Sequence, residues 1–378
     1  MYDDHYNNPL FYAHNLYLNG RLLTDLIIPN TITTIKKRAF INCYITSVTI
    51  PNSVSNIEAY AFEGCKQLTS LTIPNSVEEI GYDAFSKCSF TTITIPSSVK
   101  TFDYAFKECN NLISATINCS SIGKSSFEGC EKLKSVTIGE NVKTIGEEAF
   151  EDCISLTSIS IPNSVETIEA YAFRGCNNIT SISLGNSLKK MADNSFDCKE
   201  LTTINITDIG SWCNIDLGYE TFGCNYNLHI NGKVVEDLII PDTVRSIKKF
   251  TFRRCVSIKN VTMPTSVKSI EERAFEGCTS ILSLNIPNSV TNIGSYCFAD
   301  CSNLSDIYLG NSVSSIGYYF VFDCTNLKDI YCTALIIPES NSDPFYGLNT
   351  KEVTLHVPET SLAEYRRTKY GSVDILRG

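Results

Sequence analysis

The chain has 378 residues, of which 43% are hydrophobic and 19% are charged. This composition is typical of a packed protein and excludes a disordered chain. The formal net charge of −10 argues against nucleic acid as a partner, because a nucleic-acid-binding surface needs a basic stripe. No run of 18 apolar residues occurs, so the sequence predicts no transmembrane helix and no direct insertion into a membrane.

Residues 1–22 are interpreted as the partial start of a module. Residues 1–10 have neither the basic nor the apolar region of a secretory signal, whereas Asn19-Gly20 between apolar residues predicts a β-hairpin. A second hairpin is predicted at Asn231-Gly232, 212 residues later. The first copy lacks the segment around Trp212 that precedes the second. We therefore expect the chain to begin within a module of a longer protein, with a short first module as the alternative.

Residues 23–207 form a first block of repeats, each about 23 residues long. In one copy, residues 156–161 alternate aliphatic residues with Ser and Thr, which predicts a half-buried strand. Pro162 then predicts the end of the strand, because proline has no backbone N–H to donate. A return arm follows, with its apolar residues inward. One repeat cannot bury its apolar side chains alone, so the pattern predicts a solenoid in which neighbouring repeats build the core.

Two positions of the repeat carry nearly invariant side chains. The predicted phenylalanine column comprises Phe40, Phe62, Phe85, Phe106, Phe127, Phe150, Phe173, Phe196, Phe252, Phe275, Phe298 and Phe322. The cysteine column comprises Cys43, Cys65, Cys88, Cys109, Cys130, Cys153, Cys176, Cys198, Cys255, Cys278, Cys301 and Cys324. Stacked side chains point the same way, so we predict buried free thiols. Disulfides between stacked neighbours and a metal site are the alternatives, although no CxxC pair occurs.

Three further segments complete the chain. Residues 208–234 interrupt the repeat as an island containing Trp212, Cys213 and the second hairpin. Residues 235–332 form a second block of repeats. Residues 333–378 comprise an irregular segment, a last strand and a C-terminal cap. In this cap the spacing of Ser361 and Glu364 predicts a capping box at the start of a short helix, and Gly371 is placed to end that helix.

The strand phrase LxxIxI and the fuller phrase IPxSVxxIgxxAFxxC resemble the BspA-like leucine-rich-repeat family over about residues 10–358. The resemblance implies a right-handed β-rich horseshoe with a parallel sheet on its concave face, interrupted here by β-hairpin islands and closed by a short capping helix. Family members are typically secreted or surface proteins of microbes, implicated in adhesion to host matrix proteins or to other cells. The family has no catalytic residues to transfer.

Outward strand positions offer the best candidate binding face. In the first block these positions are almost all Ser or Thr, as in Ser158 and Ser160, which a sheet can use for its own stability. Towards the C-terminus the residues change, and exposed tyrosines beside carboxylates are typical of binding surfaces. The candidate ligand-binding residues are Ser283, Asn285, Asp306, Tyr308, Asp329 and Tyr331. The alternative is that the irregular segment 333–349 covers the two tyrosines.

No nucleophile, nucleotide or metal-binding motif occurs, so we expect a protein that is not an enzyme and uses no cofactor or metal. We expect a monomeric repeat protein of the cell surface or extracellular space that binds proteins, including host matrix or cell-surface proteins. An intracellular or purely structural interaction solenoid is the first alternative. A carbohydrate-binding module for glycans is the second.

Overall fold

A computed structural model describes residues 14–340, 343–349, 351–368, 370 and 374–377. The first thirteen residues of the predicted partial module, and Gly371, lie outside the described residues. The chain forms two compact units. Unit 1 comprises the residues up to Leu201 together with Glu220–Gly223, and unit 2 comprises Thr202–Tyr219 together with the residues from Cys224 onwards.

Each unit is a β-solenoid in which a turn has one longer strand, a tight corner, one two-residue strand and a run of turns. The longer strands of unit 1 are Asp25–Ile27, Ser47–Thr49, Thr92–Ile95, Ser114–Ile117, Ser135–Ile138, Ser158–Ile161 and Ser181–Leu184. Its short strands are Thr34–Ile35, Asn56–Ile57, Glu79–Ile80, Ser121–Ile122, Thr144–Ile145, Thr167–Ile168 and Lys190–Met191. Residues 68–73 have the same alternating pattern, but their strand is reduced to a single bridge between Ser70 and Ser47.

Unit 2 repeats this plan. Its longer strands are Thr203–Ile206, Asn227–Ile230, Asp237–Ile239, Asn260–Thr262, Ser283–Asn285, Asp306–Leu309, Asp329–Cys332, Thr354–Val357 and Asp374–Arg377. Its short strands are Asp216–Leu217, Ser246–Ile247, Ser269–Ile270, Asn292–Ile293 and Ser315–Ile316. Successive turns pair in parallel, as in Ile159 with Ile182 and Ile270 with Ile293. Among the described residues, no helix is long and apolar enough to cross a membrane.

The phenylalanine column is the centre of each core. In unit 1 the rings stack from Phe40 to Phe196 with centroid separations between 4.7 and 5.6 Å, and Phe222 of the island extends the column. In unit 2, Phe252, Phe275 and Phe298 stack in the same way.

The assignment of Phe322 to this column was wrong. The N–H of Phe298 donates to the carbonyl of Phe320. In most earlier turns the corresponding acceptor is the carbonyl of the alanine that precedes the column residue. Val321 therefore occupies the column position and is fully buried, together with Phe320. Phe322 is only half-buried and contacts the rings of Tyr296 and Tyr346 instead.

The cysteine column consists of buried free thiols, as predicted. The sequence did not indicate their hydrogen bonds. The thiol of Cys153 donates to the carbonyl of Phe127, one turn earlier, at 3.2 Å, and the same bond joins Cys176 to Phe150 at 3.1 Å. Burial raises the pKa of the Cys130 thiol from 9.0 to about 12, so the thiol keeps its proton and remains a donor.

The run of turns around the Ala-Phe and Cys positions requires left-handed backbone at two positions per repeat. One lies before the alanine, as at Tyr104 with φ of 58°, and the other before the cysteine, as at Glu108 with φ of 54°. Several turns use glycine at the second position, including Gly129 with φ of 69°. The N–H of Tyr104 donates to the carbonyl of Lys124 in the next turn, so stacking imposes a conformation that these side chains disfavour.

Both predicted hairpins are present. Tyr17–Leu18 pairs antiparallel with Arg21–Leu22, and the end of Asn227–Ile230 pairs antiparallel with Lys233–Val234. The island also contains the helix Ile209–Cys213, capped by the Asp208 side chain, which accepts from the N–H of Ser211. The indole of Trp212 is buried and donates to the carbonyl of Thr251 at 3.0 Å.

The C-terminal cap contains the 3-10 helix Glu359–Ser361 and the helix Leu362–Tyr365. The predicted capping box is wrong. Ser361 has helical backbone angles and makes no side-chain cap; its hydroxyl donates instead to the carbonyl of Leu335 at 2.9 Å. The helix ends at Tyr365, whose buried hydroxyl donates to the carbonyl of Ala334.

Candidate functional site

The six candidate residues lie on the outer side of three neighbouring parallel strands of unit 2. Ser283, Asp306 and Asp329 are in register in one row, and Asn285, Tyr308 and Tyr331 are in register in the next. The strand Thr354–Val357 extends both rows, with Thr354 opposite Asp329 and His356 opposite Tyr331. These two rows, with His356 included, are called the tyrosine face.

Three rings stack along the second row. Tyr308 and Tyr331 have centroids 4.4 Å apart and planes only 3° from parallel. Tyr331 and His356 follow at 4.3 Å and 12°. The stack therefore presents ring edges and hydroxyls outward, and it leaves one ring face, that of Tyr308 towards the Asn285 strand, without an aromatic neighbour in the described stack.

The first row supplies two carboxylates. Asp329 Oδ1 lies 2.7 Å from His356 Nε2, which holds the imidazole over Tyr331. Asp306 accepts from the hydroxyl of Ser305. Partial burial, followed by the charges of Asp329 and Asp306 and the neighbouring Tyr308, raises the pKa of Tyr331 above its usual value. The Tyr331 hydroxyl therefore stays protonated as a hydrogen-bond donor.

In its described residues, 333–340 and 343–349, the irregular segment does not account for the exposed tyrosines. Glu339 forms a bridge with Ser315 on the short-strand side, and Tyr346 packs on Tyr319 with centroids 5.0 Å apart on the turn side. Tyr308 remains 42% exposed. The contacts found for this segment thus lie on other sides of the solenoid.

The long-strand face of unit 1 is chemically different. Its outward rows are hydroxyl ladders, with Ser158 opposite Ser181 and Ser160 opposite Ser183. The strands that follow each hairpin are also distinct, because each places an Asp and then an exposed Ile outward: Asp25 with Ile27, and Asp237 with Ile239. An aspartate in the first row is therefore not sufficient to make a tyrosine face.

Sequence reasoning missed two features. His356 was not among the candidate residues, although aligning its strand with Asp329–Cys332 places it in the tyrosine row. The other feature is an aromatic row on the turn side of unit 1, where Tyr82 packs between Tyr60 and Tyr104 with tilted rings, the Tyr82–Tyr104 centroids being 4.4 Å apart. Its members occupy different positions of the repeat, which concealed the row.

Turn-side carboxylates come together at Glu128, Glu148 and Glu151. Each of them is matched by a basic side chain. Lys107 lies 2.8 Å from Glu128, Lys124 lies 3.7 Å from Glu148, and Arg174 pairs with Glu151. The three carboxylates are therefore parts of ion pairs between successive turns.

Solved structures match this chain to different degrees, and the first described here supports the same fold. A leucine-rich repeat protein from Bacteroides ovatus is 28% identical, with a TM-score of 0.62, and the match covers 94% of this chain and 84% of that one. A leucine-rich cell surface protein from Faecalibacterium prausnitzii is 24% identical over 84% of this chain and 88% of that one, with a TM-score of 0.40. The pneumococcal vaccine antigen PcpA is 19% identical over 96% and 91%, with a TM-score of 0.44.

A search of curated proteins found no significant match. The family profile described as "BspA type Leucine rich repeat region" matches six copies, over residues 14–113, 102–229 and 224–351. These matches span nearly all of the repeat blocks and the island between them. The chain belongs to the BspA-type leucine-rich-repeat family.

Proposed function

We propose that this protein is a non-catalytic binding protein of the cell surface or extracellular space, and that it attaches to other proteins through the tyrosine face. The observation that carries the proposal is the ring stack of Tyr308, Tyr331 and His356 on an outer sheet face. In the long strands of unit 1, apart from Asp25–Ile27, the same rows hold short hydroxyl side chains. Membership of the family agrees with a binding role, since its members are typically adhesive surface proteins.

Tyrosine is suited to this role because it combines a large apolar area with a hydroxyl and loses little conformational entropy on binding. Here the stack already restricts both tyrosines, so even less freedom remains to be lost. The exposed fraction of Tyr308 also means that its ring contributes less to the core than a buried ring would. A contact role accounts for that exposure better than a folding role.

Carbohydrate recognition is less well supported. Sugars pack on the open faces of aromatic rings, whereas this stack, with separations of 4.4 and 4.3 Å, covers both faces of Tyr331 and, among its described rings, leaves a single face of Tyr308 open. Free thiols are uncommon in oxidising compartments. In this chain sixteen of the seventeen cysteines are buried, which protects them from oxidation and is compatible with an extracellular location.

The test uses the double variant Tyr308→Ser/Tyr331→Ser. Its binding to purified extracellular-matrix proteins and to epithelial cells is compared with that of the unmodified protein. The matched control is Tyr82→Ser/Tyr104→Ser, which removes two rings with the same 4.4 Å separation from the turn side. We expect the first variant to lose binding with little change in thermal stability, and the control to keep it. Binding that survives the first variant, or that is absent from the unmodified protein, would overturn the proposal.

A further inference from the structure

We infer that the tyrosine face recognises a positively charged side chain, arginine or lysine, of the partner protein. The cation would lie on the open face of Tyr308, beside the carboxylate of Asp306. This inference rests on the proposed function and specifies the chemistry of the partner.

The ring geometry leaves one place for such a group. Tyr331 covers one face of Tyr308 at a centroid distance of 4.4 Å. The opposite face is directed towards Asn285, which is in register on the neighbouring strand and is itself exposed. Because the asparagine side chain is short, a planar guanidinium or the stem of a lysine can approach that face. Aromatic faces attract cations through their quadrupole.

The tyrosine face carries two carboxylates, Asp306 and Asp329, and no described lysine or arginine lies within ion-pair distance of them. Among the described residues, His356 is the basic side chain within ion-pair distance of these two carboxylates, and it contacts Asp329 at 2.7 Å. Asp306 accepts from a neutral serine hydroxyl, that of Ser305. A cation on Tyr308 would therefore meet both a ring face and a carboxylate that no described lysine or arginine neutralises.

The chain uses the same combination elsewhere with its own arginines. The guanidinium of Arg273 lies 4.2 Å from the ring centroid of Tyr296 and its Nη1 is 2.9 Å from Glu276. In unit 1, Arg174 lies 4.5 Å from the ring centroid of Tyr171 and pairs with Glu151. In both places an arginine lies between a tyrosine ring and a carboxylate. Tyr308 and Asp306 provide the ring and the carboxylate, and a partner would provide the cation.

The experiment measures fluorescence anisotropy of a labelled hexa-arginine peptide with the full chain at low ionic strength. The same peptide made with citrulline keeps the shape and removes the charge. We expect Asp306→Asn and Tyr308→Leu each to weaken binding about fivefold, the size of a partly exposed ion pair or cation–π contact. The matched control is Asp237→Asn, because Asp237 occupies the equivalent position of its own strand but is followed by Ile239 rather than tyrosine. It should leave the affinity unchanged.

Two results would overturn the inference. One is equal weakening by Asp306→Asn and Asp237→Asn, which would mean that the peptide responds only to the net charge of −10. The other is equal binding of the citrulline peptide. If either result occurs and Tyr308→Ser/Tyr331→Ser still loses cell binding, the proposed function is supported and the recognition of a cation is rejected. Conversely, peptide binding that depends on Asp306 and Tyr308, with unaffected cell binding, would reject the proposed function and retain the cation site.

Discussion

Replacing Phe150 by alanine should show how far the stability of this solenoid depends on nearest neighbours. Phe150 is fully buried, and its ring stacks between Phe127 at 5.4 Å and Phe173 at 5.1 Å. Truncation of a buried phenylalanine removes its transfer free energy and leaves a cavity, which together cost about 3–5 kcal/mol. Because two ring contacts are lost as well, we expect a loss near the upper end, about 4–5 kcal/mol.

Phe40 provides the matched control. It occupies the same column but is half-buried and stacks on Phe62 alone, at 5.2 Å, among the described rings. We expect Phe40→Ala to cost about 2 kcal/mol, since less area leaves water and one stack is broken. Denaturant unfolding measures both losses. Hydrogen exchange locates them, with protection falling mainly in the turns that contain Phe127 and Phe173. Equal losses for the two variants, or a uniform loss of protection through both units, would refute the reasoning.

Two other features give direct predictions. The column thiols should react with a thiol reagent only after denaturation, because they are buried; labelling of most of them in the native state, or failure of most to appear on denaturation without reductant, would contradict this. Burial raises the pKa of Cys130 and of Cys213 from 9.0 to about 12, so the folded state holds these protons more tightly. The contribution of these two protonated thiols to the free energy of unfolding is fully present below pH 9. It should decline as the pH rises from 9 towards 12, which lowers the melting temperature. At the left-handed position before the cysteine, Glu108→Gly should stabilise and Gly129→Ala should destabilise by about 1 kcal/mol each. Their φ angles are 54° and 69°, and unfolding curves that shift in the same direction for both would reject this explanation.

The period of the repeat made most of the fold predictable. Alternating aliphatic residues identified the long strands, and the spacing of Phe and Cys identified two buried columns. The prediction failed where a side chain of the expected type occupied a neighbouring position. Counting back three residues from Cys324 reaches Val321, yet the phenylalanine next to it was taken as the column residue. The spacing to the cysteine was the better guide, because the other column phenylalanines except Phe196 lie three residues before their cysteine.

Other features depend on contacts that a local pattern does not contain. The left-handed backbone at Tyr104 follows from its hydrogen bond to the next turn, which outweighs the preference of the side chain. The capping box at Ser361 failed because the hydroxyl found a carbonyl in the irregular segment instead. The rows of the tyrosine face were predictable, since Asp306 and Asp329 repeat at one spacing with Tyr308 and Tyr331. His356 was missed because the irregular segment before it breaks that spacing.

The thiol bonds give each solenoid stack a direction. A phenylalanine carbonyl in one turn accepts a hydrogen bond from the cysteine thiol of the following turn, as that of Phe298 does from Cys324 at 3.1 Å. During synthesis, the phenylalanine carbonyl of a new turn therefore lacks its thiol donor until the next turn has been made. Synthesis from the N-terminus supplies the turns in that order. At the last turns, tyrosine hydroxyls of the cap make the corresponding hydrogen bonds. The Tyr365 hydroxyl lies 3.3 Å from the Cys332 thiol, and the Tyr370 hydroxyl donates to the carbonyl of Pro338. A shortened version of this protein should therefore tolerate loss of turns from its beginning more readily than loss of its final residues.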